Sequence, residues 1–222
     1  MFHVEQSEQF AEFFIGGLAQ LGFSLTDAQV HDFIYYYNEL VAWNKKINLT
    51  SITRDKEIAV KHFLDSLAYS RVLAPFPNHN ESLLDVGSGA GFPGLPLKIS
   101  HPDLDLTLLE PNLKKGAFLR HIIGKLRLKK TVVLAKRLQD LREEPTHQGH
   151  YRHIVTRAIG IEQILPFARP LLAEKGFIVL GRSKPLENRM DSYGLRIARE
   201  VSFSLPYGYG KRVLTVVEPW DI

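Results

Sequence analysis

Cysteine is absent from the 222 residues. That excludes a disulfide scaffold, a thiolate metal site and a cysteine nucleophile. Long apolar runs are also absent, and none approaches the roughly 20 residues needed to cross a bilayer. Positive charge is missing from the first residues, where Glu5, Glu8 and Glu12 stand and a secretory leader would carry lysine or arginine. No internal repeat or low-complexity stretch interrupts the chain. These absences leave a cytoplasmic enzyme or binding protein without membrane contact. With 45% hydrophobic and 23% charged residues, the composition is that of a folded globular protein. The length suits one domain, or one domain with an appendage.

A formal net charge of +4 hides a division. Residues 1–80 carry −3 and residues 81–110 carry −4, whereas 111–160 carry +9 and 161–222 carry +2. The central basic block, which includes Lys125, Lys129 and Lys130, has two readings. It forms either the solvated faces of successive helices or a patch that attracts a polyanion.

The first eighty residues read as helical. Thr26 and Gln29 make a capping-box start. Val30, Phe33, Ile34, Tyr37, Leu40 and Val41 then recur at helical spacing and predict an inward face. A further helix is predicted from about Asp55 to Leu73, with Val60, Leu64 and Leu67 inside. Pro75-Phe-Pro77-Asn78 stops it and marks a boundary between a helical N-terminal extension, residues 1–77, and a second unit, residues 78–222. Beyond it come short apolar runs at Ser82–Val86, Asp105–Glu110, Thr131–Ala135, His153–Thr156, Phe177–Gly181, Val201–Leu205 and Val213–Val217. Most gaps between them suit a helix, which predicts an α/β fold with a mostly parallel sheet. Pro206–Arg212 is too short for a crossover helix, so the last strand should run antiparallel. Seven strands with a terminal reversal predict the methyltransferase variant of the doubly wound, Rossmann-like fold.

The strongest local signal is Asp85-Val-Gly87-Ser-Gly89-Ala-Gly91-Phe92-Pro93-Gly94. It follows a strand and opens a helix, the position at which open α/β sheets bind ligands. Gly89, Gly91 and Gly94 formally satisfy the dinucleotide pattern, with Glu110 about 20 residues on, so a nicotinamide-dependent oxidoreductase is one reading. Asp85 argues the other way, because a carboxylate suits the cationic amino-acid moiety of S-adenosylmethionine better than a pyrophosphate. Glu110 can accept both hydroxyls of a ribose in either case, or it can simply be a charge at a strand end.

The whole chain resembles the bacterial 16S ribosomal RNA guanine-N7 methyltransferases, the RsmG family, formerly GidB. The resemblance is carried by Trp43-Asn-Lys-Lys-Ile-Asn48-Leu-Thr50, His62-Phe-Leu-Asp65-Ser-Leu67, Leu84-Asp-Val-Gly-Ser-Gly-Ala-Gly-Phe-Pro-Gly94 and Val155-Thr-Arg157-Ala158. It implies a class I S-adenosylmethionine-dependent methyltransferase domain with a helical N-terminal extension. The implied cofactor positions fall on Gly87, Phe92, Leu138, Gln139 and Arg157. The implied substrate is a guanine of 16S ribosomal RNA or the small ribosomal subunit, and a monomer is expected. Two positions depart from the family pattern. Gln139 stands where an acidic residue usually holds the adenine, and Glu110-Pro111 stands where Asp-Ser is common. The first departure also leaves open a non-catalytic RNA-binding protein with a degenerate cofactor site.

Guanine N7 has an in-plane lone pair, so its methylation needs alignment more than a base. No catalytic acid–base pair is evident. Arg157 is expected to contact cofactor, a phosphate or guanine O6, leaving N7 free, or else to form a strand-end ion pair. Lys45, Lys46, Asn48 and His62 either steer RNA and close the cofactor pocket, or shape turns and fill the core. Lys211 and Arg212 share a loop with Tyr207 and Tyr209. That loop either stacks on unpaired bases or is a plain hairpin. His147, His150 and His153 recur every third residue, but no cysteine supports them and no metal is expected.

Overall fold

The apolar runs from residue 82 onward become seven strands of one sheet. They are β1 Ser82–Val86, β2 Asp105–Leu109, β3 Thr131–Leu134, β4 Tyr151–Arg157, β5 Leu172–Arg182, β6 Leu195–Ser204 and β7 Lys211–Pro219. This is a computed structural model, and it describes residues 2–73, 81–157, 159–186 and 191–220. The spatial order is β3-β2-β1-β4-β5-β7-β6. Strands β1 to β5 run parallel, and β7 lies antiparallel between β5 and β6. The expected terminal reversal is therefore present, with Pro206–Gly208 forming a 3-10 turn in the connection. Leu83, Leu84 and Val86 of β1 are all buried, as a central strand covered on both faces requires.

The helices are α1 Phe2–Leu21, α2 Asp27–Ile47, α3 Asp55–Ile58, α4 Asp65–Leu67, α5 Ser70–Leu73, α6 Gly94–Ser100, α7 Leu113–Lys125, α8 Leu138–Arg142 and α9 Ile161–Ala168. Helix α2 starts with the capping box expected from Thr26 and Gln29. Gln29 Nε2 also donates to the carbonyls of Ile99 and Ser100, which ties the start of α2 to the end of α6. Phe33, Tyr37 and Leu40 are buried as expected. Val30, Ile34 and Val41 are only half-buried, and Tyr36 joins the inward face. The helix expected over residues 55–73 forms in pieces, because residues Ala59–Leu64 adopt a π-helix between α3 and α4. Val60, Leu64 and Leu67 are nonetheless buried. The stop at Pro75–Asn78, and with it the boundary after residue 77, lies outside the described residues.

Helices α1 and α2 and the 55–73 run pack directly on one sheet face, and a single apolar cluster joins them to Leu83, Leu95, Leu106 and Phe118. The opposite face carries a second cluster under α8 and α9. Phe63, fully buried in the π-helix, is the hub of the first. Its ring meets Phe10, Phe33, Tyr36 and Phe92 edge-on, with centroids 5.1, 5.8, 5.1 and 5.1 Å away. Phe63→Ala should therefore cost about 3–5 kcal/mol in urea unfolding. A loss below about 1 kcal/mol would show that the aromatic cluster does not hold the helices to the sheet.

Candidate active site

The carboxyl ends of β1 to β5 form one edge of the sheet, and the glycine-rich turn lies on it. Gly87, Gly89 and Gly91 have φ of +70°, +58° and +98°. The turn is braced from β2: Gly87 N–H donates to Leu109 O at 2.9 Å, and Gly89 N–H to Glu110 Oε2 at 2.8 Å. Glu110 Oε1 accepts from Asn112 N–H at 2.9 Å, so one carboxylate joins two loops. A methyl group at Gly94 would collide with Leu108 and Asp85, at 2.6 and 2.7 Å. At Gly89 it would meet only Gly87 O, 3.8 Å away, so the backbone there fronts open space.

Asp85 is fully buried, and its Oδ2 accepts from Gly94 N–H at 3.0 Å. The carboxylate thus frames its own turn, holding the start of α6 against the end of β1. Its Oδ1 is buried with no hydrogen-bond partner. Burial pushes the Asp85 carboxyl up to about 7, against the opposing effects of Gly94 N–H and Arg157.

Phe92 is buried, and its ring lies nearly parallel to those of Tyr36 and His62, at centroid distances of 5.4 and 4.7 Å. Tyr36 donates its hydroxyl to Ala90 O inside the turn. The Arg157 guanidinium stands 5.4 Å above the Phe92 ring. Arg157 also donates to Lys61 O at 2.8 Å and to His62 Nδ1 at 3.1 Å, and it pairs with Asp65 at 3.5 Å. The strand-end ion pair thus forms, in a half-buried setting beside the turn. Leu138 is buried at the start of α8, and Gln139 is exposed on its first turn.

His62 is not a surface cation that could steer RNA. It is 8% exposed, and burial, followed by the Arg157 charge, pulls its pKa down to about 3. Arginine only donates, so His62 Nδ1 accepts. Nε2 then carries the proton toward Thr50 Oγ1, 2.8 Å away. Asn48 also has a structural role, as the left-handed C-cap of α2 with φ 48°. Tyr207 likewise packs on α1, donating its hydroxyl to Phe13 O at 3.1 Å, so this loop is a hairpin braced on the helices.

The basic block is divided by topology. Lys125, Lys129 and Lys130 are exposed, but they precede β3 and lie at its amino end, across the sheet from the glycine turn. Lys45 and Lys46 are exposed at the end of α2. Lys211 and Arg212 open β7 opposite the end of β5, on the site edge. Of the three histidines, His147 bonds Tyr151 and His153 pairs with Glu81 at 2.9 Å. Among the described residues no three histidine or carboxylate groups converge on a metal-sized site.

Asp65 and Tyr36 are the site residues that sequence reasoning missed. Asp65 stood three residues after His62 in a quoted motif, and that spacing was the available signal. The His62 arrangement is testable by pH. The depressed pKa means that the unfolded chain binds more protons between about 6.5 and 3, so stability falls as pH falls through that window. Imidazole NMR should show a neutral Nε2–H ring unchanged from about pH 8 to pH 5. A titration midpoint above about 5.5 would refute the assignment.

Comparison with known proteins places the chain in a family. The sequence profile of a family described as rRNA small subunit methyltransferase G matches residues 29–198. Ribosomal RNA small subunit methyltransferase G of Dehalococcoides mccartyi (strain CBDB1) is 39% identical over 210 residues, 91% of this chain and 88% of that protein. The namesake from Pelotomaculum thermopropionicum is 36% identical, over 90% of this chain and 87% of its own length. Among solved structures, TrmN from Thermus thermophilus superposes with a TM-score of 0.55 at 17% identity, covering 70% of this chain and 48% of that one. M. jannaschii TYW2 in complex with AdoMet gives 0.51 at 15% identity, covering 69% and 74%. The fold is that of the class I methyltransferases, and the family match, with relatives named as methyltransferases, displaces the oxidoreductase alternative. The chain belongs to the family of ribosomal RNA small subunit methyltransferases G.

Proposed function

We propose that this protein transfers the methyl group of S-adenosylmethionine to N7 of a guanine in 16S ribosomal RNA. The observation that carries the reading is the glycine turn, braced between Asp85 and Glu110 on the carboxyl edge of the sheet. The residues there fit the cofactor. Gly89 fronts open space, Asp85 Oδ1 is a buried acceptor without a partner, and each Glu110 oxygen takes one N–H, which leaves lone pairs for two ribose hydroxyls. When bound, S-adenosylmethionine supplies an electrophilic methyl group on a sulfonium sulfur.

In this reading Gly87, Gly89 and Gly91 give backbone access, Glu110 holds the ribose, and Leu138 and Gln139 edge the adenine. Phe92, stacked with Tyr36 and His62, fixes the wall beside the turn. Guanine N7 needs no base to become a nucleophile, and His62 is held neutral with its proton directed at Thr50. The side chains therefore work by alignment and by excluding water. Residues 1–77 act as a helical extension and 78–222 as the catalytic unit. Action on ribosomal RNA implies the cytoplasm, and among the described residues no helix is long and apolar enough to cross a membrane.

Mapping N7-methylguanosine in 16S ribosomal RNA should reveal one modified position that disappears from cells lacking the protein. Identical maps would end this reading. Asp85 supplies a second test. A cationic ligand favours its carboxylate, whose pKa stands near 7 without ligand, so binding below that pH must release a proton. Calorimetric affinity for S-adenosylmethionine should rise with pH up to about 7 and then level off. Asp85→Asn should abolish the rise; a pH profile unchanged by that substitution would exclude Asp85 from the cofactor site.

A further inference from the structure

A cleft of about 560 Å³ opens beside the glycine turn, within the range of about 300–1,000 Å³ usual for small-ligand sites. The ends of β4 and β5 and the start of β7 line it, and among the described residues the lining includes no member of the glycine turn. Ile159 stands between the two, since a methyl group on Gly87 would overlap its side chain. Five cations line the cleft: Lys61, Arg157, Arg182, Lys184 and Arg212. The one acid among its lining residues is Asp65, 4% exposed.

Asp65 Oδ2 receives Arg212 Nε at 3.2 Å and Arg157 Nη1 at 3.5 Å. The two arginines come from β7 and β4, strands separated by β5, and one buried charge holds both. The π-helix makes this possible. Within it Asp65 N–H bonds to Val60 O, five residues back, and Arg157 takes Lys61 O. Lys61 O, His62 Nδ1 and Asp65 Oδ2 thus face one guanidinium together. Each guanidinium carries five N–H donors, more than the bonds described for it. Glu57 pairs with Lys61 at 2.6 Å and Asp65 with the two arginines, so cations still outnumber carboxylates at the cleft.

Resting on the methyltransferase reading above, we infer that Asp65 is a positioning residue that holds Arg157 and Arg212 as a paired fork for a phosphate of the RNA nucleotide entering the cleft. An arginine fork matches a phosphate through two parallel hydrogen bonds. The same donors would also suit the carboxylate of the cofactor's amino-acid moiety. Arg157 also rests on Phe92 of the turn, so the choice lies with Arg212, whose entry from β7 away from the turn favours the RNA phosphate.

The test compares Arg212→Gln, Arg212→Lys and Asp65→Asn with the wild-type chain, after their melting temperatures confirm folding. Arg212 is partly exposed, and Arg157 still pairs with Asp65 when it is replaced, so its variants are the primary ones. Arg212→Gln should leave S-adenosylmethionine affinity within about twofold, raise KM for 16S ribosomal RNA about tenfold, and lower the salt slope of RNA binding by about 1. Arg212→Lys should restore the salt slope but only part of KM, because a point charge replaces a fork. Asp65→Asn should raise KM without lowering the slope, since both cations remain. A tenfold loss of S-adenosylmethionine affinity in Arg212→Gln with an unchanged RNA slope would move the fork to the cofactor carboxylate and overturn the inference. Unchanged KM, slope and cofactor affinity would reduce the trio to a structural ion pair, which also overturns it. Wild-type protein that binds no S-adenosylmethionine, or adds no N7-methylguanosine, would instead refute the methyltransferase reading itself.

Discussion

The stack of Tyr36, Phe92 and His62 is the joint between the helical first third of the chain and the sheet. Phe92 is the residue at which the glycine turn becomes helix α6, so its ring is fixed by the turn's backbone. Tyr36 and Phe63, from two different helical segments, close on it, and His62 stacks on it as well. Arg157, at the end of β4, then rests on the same ring. Displacing Phe92 would release the turn, the π-helix and the arginine together. The N-terminal helices are therefore part of the site wall as well as part of the core.

The acids of the glycine region turn inward. Asp85 and Glu110 lie at the ends of β1 and β2, where the sequence suggests they face a ligand. Each instead takes backbone N–H groups: Gly94 for Asp85, Gly89 and Asn112 for Glu110. Bracing comes first, because a turn with three left-handed glycines has little stiffness of its own. Recognition is left to whatever capacity remains on those carboxylates. Both acids are nearly or fully buried, so their charge shapes the site at short range and contributes little to the long-range field.

Much of the fold was legible because its signals are local. The capping box at Thr26 and Gln29, seven apolar runs and a hairpin too short for a crossover each depend on neighbours in sequence. The glycine turn and Glu110 were legible for the same reason. What escaped depends on topology or on a change of period. The π-helix at 59–64 changes the period partway along the run; His62 and Asp65 stand three residues apart, but their meeting with Arg157 from β4 is set by topology. The inward turn of Asp85 depends on Gly94 N–H, a contact made only once α6 has formed. The basic block divides between two sheet edges, which a linear count of charge cannot see. Lys114, Lys115, Lys136 and Arg137 follow the carboxyl ends of β2 and β3, whereas Lys125, Lys129 and Lys130 precede β3 at its amino end.

That sorting by edge changes the electrostatic argument. A methyl acceptor on a large RNA must arrive at the carboxyl edge, because the braced turn is there. Cations on that edge can both attract the polyanion and orient one nucleotide; those on the opposite edge can only add to the diffuse field, and salt screens that field within about 10 Å. The chemistry makes the same demand on the titratable groups. Direct attack by a ring nitrogen needs no proton acceptor, and a neutral His62 with its proton committed to Thr50 offers none. Asp85, pushed up to about 7 by burial, lies in the frame of the turn, away from the cleft. A site so arranged gains rate from where it holds the two reactants, so rigidity at Phe92 and at the Asp65-bridged arginines matters more than the basicity of any side chain.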